Sequence, residues 1–328
     1  MRTRFVISSG NSVSSKDGHR NSGLKTTGHV TVLLHEAIEQ LGIKSGDIAV
    51  DATLGGGGHA RAIAEALGRK GMLIGLDLDQ DAIKRTRIAL KGFSKPKIHL
   101  VTANFRNLSS ELAKLNVKQI DKALFDLGWS GYQLEAGRGF SFLKDEPLSM
   151  TYSGSASEGT LTAATIVNEW AEESIADIIF GWGEERYSRR IAKRIVESRA
   201  KSPITTSLQL AEIIRSAVPP AYRHGRIHPA TRTFQALRIA VNDELGALKE
   251  GLTGAWRNLA ERGRIAVITF HSIEDREVKR LFVKWEQEGS GKRITRSPIR
   301  VSAEEIKANP RSRSAKLRVI EKTFQHSR

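Results

Sequence analysis

Asp51-Ala52-Thr53-Leu54-Gly55-Gly56-Gly57-Gly58-His59 is the stretch whose reading decides the fold. A short apolar run, Asp47–Leu54, enters it as a strand, and an amphipathic run, Ala60–Leu67, leaves it as a helix. Glycines at a strand-to-helix turn let the backbone pass beneath a ligand with no Cβ in the way. Four in succession would cost stability in any regular element, so a merely tight turn is a poor explanation. Outward from the turn the alternation continues. Gly71–Asp79, Lys97–Asn104 and Asp121–Leu127 read as strands, and Asp81–Leu90 and Ser109–Leu115 as helices. This rhythm predicts βαβ units and a parallel sheet buried on both faces. A further strand, Gly263–Phe270, arrives much later. Between them lie successive helices, including Glu169–Phe180, Glu184–Arg199 and Ser207–Ser216, punctuated by Pro203 and Pro219-Pro220. The fold class is therefore α/β: a doubly wound sheet interrupted by an inserted helical domain. Thr231–Leu248 reads as one helix returning to the sheet, with Phe234, Leu237, Val241, Leu245 and Leu248 on a single apolar face.

Asp77, near the end of the second strand, is placed to accept hydrogen bonds from a ribose diol. Two cofactor classes share this arrangement. Gly55-x-Gly57-x-x-Ala60 also satisfies a loose dinucleotide fingerprint. A dehydrogenase needs a hydride-acceptor constellation, and none stands out. A methyltransferase needs a polar group at the end of the fourth strand, where Asp126-Leu127-Gly128-Trp129-Ser130-Gly131-Tyr132 lies. Ligands of open α/β sheets sit beyond the carboxyl ends of the strands, so Asp77 and Asp126 face one crevice. Asp126 is the candidate catalytic residue: a carboxylate there can hold an exocyclic amine and stabilise charge developing on it. Trp129 and Tyr132 either stack on a splayed-out base or fill core.

Composition narrows the substrate. The 328-residue chain is 39% hydrophobic and 27% charged, as a globular protein should be, and carries a formal charge of +16. That charge points to a polyanion, and nucleic acid is the usual one. The chain has no cysteine, which excludes disulfides and thiolate-ligated zinc, fits a reducing cytoplasmic location, and removes the nucleophile needed to methylate carbon 5 of a pyrimidine. No cluster has metal-ligand spacing. No apolar run approaches the ~20 residues of a membrane helix, so no membrane partner is expected. Residues 1–28 are polar and almost free of acid; a flexible basic arm is preferred to a mitochondrial presequence because no amphipathic pattern is evident. The tail from Lys292 onward, with Arg311, Arg313, Lys316 and Arg318, is basic; such a run is usually a solvated face, but here its sign agrees with that of the whole chain.

Longer motifs carry a resemblance. Gly28-His29-Val30 with Leu34-His35-Glu36, the glycine turn, Asp126-Leu127-Gly128, Arg138-Gly139-Phe140-Ser141-Phe142, the run His228–Leu245, Phe270-His271-Ser272-Ile273-Glu274-Asp275-Arg276, and Asn309-Pro310-Arg311 leading to Arg313–Arg318 resemble the MraW (RsmH) 16S rRNA cytosine-N4 methyltransferases from His29 to about Glu321. The resemblance implies a class I, Rossmann-like methyltransferase domain over 29–137 and 225–328, with a substrate-recognising helical insertion at 138–224. It implies S-adenosyl-L-methionine as cofactor, against Gly57, Gly58 and His59, with Asp77 on the ribose, Phe105 beside the adenine, and Asp126 and Gln133 completing the pocket. The implied substrate is one decoding-centre cytidine of 16S rRNA, presented in the small ribosomal subunit and methylated on N4. Trp129, Arg232, His271, Arg311, Arg313 and Lys316 are the candidate substrate contacts, and no particular oligomer is implied. Two departures stand out. The family's Gly-Val-Ser-Ser is Gly128-Trp129-Ser130-Gly131 here, and its Pro-Leu-Asp-Met-Arg is Pro147-Leu148-Ser149-Met150-Thr151, losing an acid and a base together. They open a second expectation, an rRNA-binding assembly factor with an intact cofactor pocket and weakened catalysis. A methyltransferase for a small molecule or another nucleic acid agrees poorly with the basic tail.

Overall fold

A computed structural model describes residues 31–128, 137–152 and 159–323. Its centre is an eight-stranded sheet. The strands are β1 (Ile48–Asp51), β2 (Met72–Asp77), β3 (Lys97–Thr102), β4 (Ile120–Asp126), β5 (Leu259–Thr269), β6 (Gly291–Arg293), β7 (Ile299–Arg300) and β8 (Lys316–Lys322). Their order is β3-β2-β1-β4-β5-β8-β6, with β7 beside β8. β1 to β5 pair in parallel, as the buried apolar runs predict, and β8 runs antiparallel to β5. The chain steps from β1 to β2 and β3 on one side, then returns to β4 on the other. That reversal opens a crevice between the carboxyl ends of β1 and β4, where doubly wound folds bind ligands.

Side chains alternate across the sheet because strand residues alternate faces. Ala49, Ala266 and Ile268 join one core with α1 (Leu34–Leu41), α2 (Gly58–Leu67) and α3 (Gln80–Ala89). Val50, Phe125 and Val267 join the other, beneath α4 (Leu108–Lys114), a helix at Glu244–Asn258 and one at Ser272–Gln287. In that second core Trp256 and Trp285 stack with ring centroids 4.4 Å apart. A third core belongs to the inserted helices α5 (Ala163–Glu169), α6 (Glu172–Gly183), α7 (Ser188–Arg199), α8 (Ser207–Ala217) and the single turn α9 (Pro220–Arg223). Thr206 and Gln209 close a reciprocal capping box at the start of α8.

Two readings are corrected. The single helix expected over Thr231–Leu248 is two, α10 (Thr231–Asn242) and α11 (Glu244–Asn258). Asp243 breaks it, with φ 44 in the left-handed region. The presumed single apolar face serves two cores: Phe234 and Leu237 pack with the inserted helices, Leu248 with the sheet. The basic tail is not a solvated face throughout. Leu317, Val319 and Ile320 are fully buried on β8, and the Arg318 guanidinium lies inside, donating to Asp275 at 2.6 and 3.2 Å. The alternation Leu317-Arg318-Val319 is that of a strand, and here it outweighs the run of charge. The remaining helix, α12 (Ser272–Gln287), carries Asp275, and α13 (Ala303–Ala308) precedes β8. Among the described residues no helix is long and apolar enough to cross a membrane.

Candidate functional site

Register places the site's carboxylates at one level. Asp51 lies opposite Gly75 and Leu124, so Asp77 and Asp126, each two residues further on, end their strands side by side. Thr53 continues β1 between them, and the Asp126 N–H donates to Thr53 Oγ1 at 2.7 Å. Beyond these ends opens a cavity of about 570 Å³, within the ~300–1,000 Å³ of small-ligand sites.

The glycine turn forms its floor. Gly57 caps α2 with φ 81, a conformation costly to any residue with a Cβ, and an added Cβ would lie 3.1 Å from Thr86 Cα. Gly58 and His59, in the first turn of α2, line the cavity, and a helix start leaves its first N–H groups without intrahelical partners. Asp77 ties the second strand to this turn: its two oxygens accept the N–H groups of Gly55 at 2.9 Å and Asp79 at 2.8 Å. Burial pushes the Asp77 carboxyl up despite those two donors. Phe105 closes another wall from a 3-10 turn, Phe105–Asn107, set edge-on to Phe125 at 5.7 Å. A side chain at Gly251 of α11 would strike the Phe105 ring at 2.6 Å.

The interior holds an unexpected array. Asp51 is fully buried, and burial pushes its carboxyl up to about 7 against the lowering pull of His59. His59 is also buried, with Nδ1 3.4 Å from Asp126 Oδ2. Burial alone would lower the imidazole, but the Asp126 and Asp51 carboxylates and the Val32 backbone outweigh it and hold its pKa above the usual value. His59 thus braces Asp126 from behind. Asp126 Oδ1 is buried without a hydrogen-bond partner, while the side chain as a whole is 22% exposed and lines the cavity.

A second network links the insertion to this crevice. Arg238 of α10 grips Glu244 of α11 through two bonds of 2.8 and 3.0 Å. Tyr152, whose side chain lines the cavity, donates its hydroxyl to Glu244 at 2.9 Å. His271 starts α12: its Nδ1 accepts the Glu274 N–H, and its Nε2 lies 3.0 Å from Glu274 Oε1. Burial pushes Glu274 up, and His271 and Arg238 more than offset it, leaving the carboxyl below its usual range. Glu244, His271 and Glu274 have metal-like proximity, but the Arg238 guanidinium already supplies the positive charge these carboxylates require. His271 is therefore a helix cap in an ion network at the cavity rim. Sequence reasoning did not single out Tyr152, Arg238 or Glu244. An arginine on an otherwise apolar helix face was the signal available.

The other candidates separate. Arg232 donates to the Glu184 carbonyl at 2.7 Å, closing the end of α6. Arg311 lines the cavity from the segment before β8, and Arg313 is exposed close by. Lys316 is engaged with Asp275 at 3.0 Å. Trp129 and Gln133 lie outside the described residues, as does the arm at 1–28. The Ser149 and Thr151 hydroxyls sit 3.1 Å apart in a hydrogen bond, so a neutral contact holds together the positions where the family pattern carries an acid and a base.

The chain is 46% identical over 310 residues to the ribosomal RNA small subunit methyltransferase H of Symbiobacterium thermophilum, covering 90% of this chain and 96% of that protein. It is 47% identical over 311 residues to the protein of the same name from Heliobacterium mobile, covering 90% and 98%. Among solved structures, a putative methyltransferase from Streptococcus mutans in complex with SAH aligns at 12% identity and TM-score 0.42, covering 90% and 99%. The MraW methylase model matches residues 26–323, and the chain belongs to that family.

Proposed function

We propose that this protein transfers a methyl group from S-adenosyl-L-methionine to the exocyclic N4 of one cytidine in the decoding centre of 16S rRNA, presented within the small ribosomal subunit. One observation carries the reading: Asp126 ends β4 beside the glycine turn, braced by His59, with its partly exposed side chain lining the cavity. The names of the two relatives support small-subunit rRNA as the substrate.

The cavity's donor set fits the cofactor. Asp77 has lone pairs left for a ribose diol, Phe105 offers a ring to the adenine, and the helix start at Gly58 approaches without obstruction. When bound, the cofactor supplies an electrophilic methyl on a sulfonium. The protein's own work is to position the acceptor. Cytosine N4 is a weak nucleophile because its lone pair is delocalised into the ring. Asp126 accepts one of its N–H bonds, aims the nitrogen and stabilises the positive charge that develops there, while confinement in the crevice supplies in-line alignment. Gln133 and Trp129 are assigned to the pocket's completion and to stacking on the base. Arg232 and His271 act by holding the insertion against the rim, and Arg311 and Arg313 by contacting RNA backbone.

The rRNA-binding factor without catalysis is the second reading. The Ser149–Thr151 hydrogen bond favours the enzyme over it, since the contact there persists in neutral form. Nucleoside mass spectrometry of small-subunit rRNA, with and without the gene, tests both. Loss of N4-methylated cytidine at one site in the deletion is expected; an unchanged profile would leave the binding factor.

A further inference from the structure

We propose that the outer face of α7 and the segment Arg223–Arg226 form one docking surface for rRNA phosphates beside the target nucleotide. This rests on the RNA-methylation reading and names the part of the insertion that does the binding. The two segments are some thirty residues apart in sequence and each is basic without interruption: no acid occurs from Arg186 to Arg194 or from Arg223 to Arg226. Arg186, Arg189, Arg190 and Lys193 are exposed, as are His224 and Arg226.

Aromatic contacts join the segments. Tyr187 meets Tyr222 edge to face at 4.9 Å, and the Arg186 guanidinium lies over both rings, at 4.8 and 5.2 Å. Arg190 covers Tyr187 from 5.9 Å. A guanidinium resting on a ring loses little hydration at its N–H edges, which remain free to donate to phosphate. The neighbouring acids do not cancel this charge. Glu185 is buried and accepts the Tyr222 hydroxyl at 2.6 Å. Glu184 is spent on Arg276 and on the Ser272 hydroxyl. Glu197 and Glu212 pair with Arg194 and Arg215.

Those Glu184 contacts also fix the surface beside the crevice. Ser272 follows Phe270, a lining residue of the cavity, by two positions, and Glu184 precedes Arg186 by two. An ordinary solvated basic face has no such anchor. A strand whose target base entered the cavity would carry its flanking phosphates across Arg186 and Arg190.

The test measures binding of small ribosomal subunits from cells lacking the gene, across a salt series. The triple variant Arg189→Ala, Lys193→Ala, Arg226→Ala is compared with Lys70→Ala, Lys91→Ala, Lys114→Ala, which removes equal charge from exposed sites at the opposite end of the sheet. Each lost phosphate contact should reduce the slope of log K against log salt by about 0.7, so the first triple should lose about 2. The second should lose much less, and cofactor affinity should stay level in both. Equal losses in the two triples, or none in either, overturn the proposal. So does wild-type binding to phosphatidylglycerol vesicles that matches subunit binding and is lost in the first triple. Subunits bound through this surface yet never methylated by the wild type would sink the catalytic reading and leave the surface standing.

Discussion

Arg238→Met is expected to lower stability by about 3–5 kcal/mol, the cost of breaking a buried ion pair by removing one partner. The estimate follows from what the carboxylates keep. Arg238 and Glu244 are 9% and 11% exposed, so neither is rescued by water. After substitution Glu244 retains the Tyr152 hydroxyl at 2.9 Å in place of two further charged donors. Glu274 keeps His271 at 3.0 Å and the Phe270 N–H at 3.1 Å, so most of the loss falls on Glu244. Neutralising that residue in the double variant Arg238→Met, Glu244→Gln should then recover at least half. Urea unfolding at neutral pH reads the stability, and calorimetric titration with S-adenosylmethionine reads the site. Cofactor binding should weaken as well, because Tyr152 and Phe270 both line the cavity. A loss below about 1 kcal/mol, or no recovery in the double variant, would refute the assignment of this network as the joint between insertion and sheet.

Asp126→Asn should reduce methyl transfer to undermethylated subunits by about 10²–10⁴-fold; undiminished transfer would remove Asp126 from the chemistry. Asp51→Asn should change the pH dependence of stability. The Asp51 carboxyl is raised from 3.8 to about 7 on folding, so its contribution is fully present below pH 4 and is lost as pH rises toward 7. The variant should show a flatter urea midpoint across that window, and an unaltered profile would contradict the burial argument. Gly128→Ala should impair both folding yield and activity, since φ is 123 and the new Cβ would lie 2.9 Å from the Phe270 ring; wild-type thermal stability would show that the turn relaxes freely. Ser149→Asp with Thr151→Arg should alter transfer by less than about tenfold, about 1.4 kcal/mol, because the two hydroxyls already hold the contact. A hundredfold gain would show that the departure weakens catalysis.

The parallel sheet and its crevice were determined by the sequence alone. Short apolar runs, glycines at one strand end and acids at two others act locally, through strand propensity, turn geometry and the rule that ligands gather at carboxyl ends. Gly58, Asp77 and Asp126, which those local rules bring to one crevice, all line the cavity. Tertiary structure decided what depends on partners distant in the chain. Asp243 splits one periodic stretch between two cores, because a left-handed residue leaves the hydrophobic period almost undisturbed. Arg318 and Lys316 are held by Asp275 because α12 packs against β8. Asp51, His59 and Asp126 form an array because register sets two strand ends level and one helix start beside them. A charge's neighbours across the fold determine whether it meets water, RNA or a counterion, and those neighbours lie beyond the reach of any local pattern.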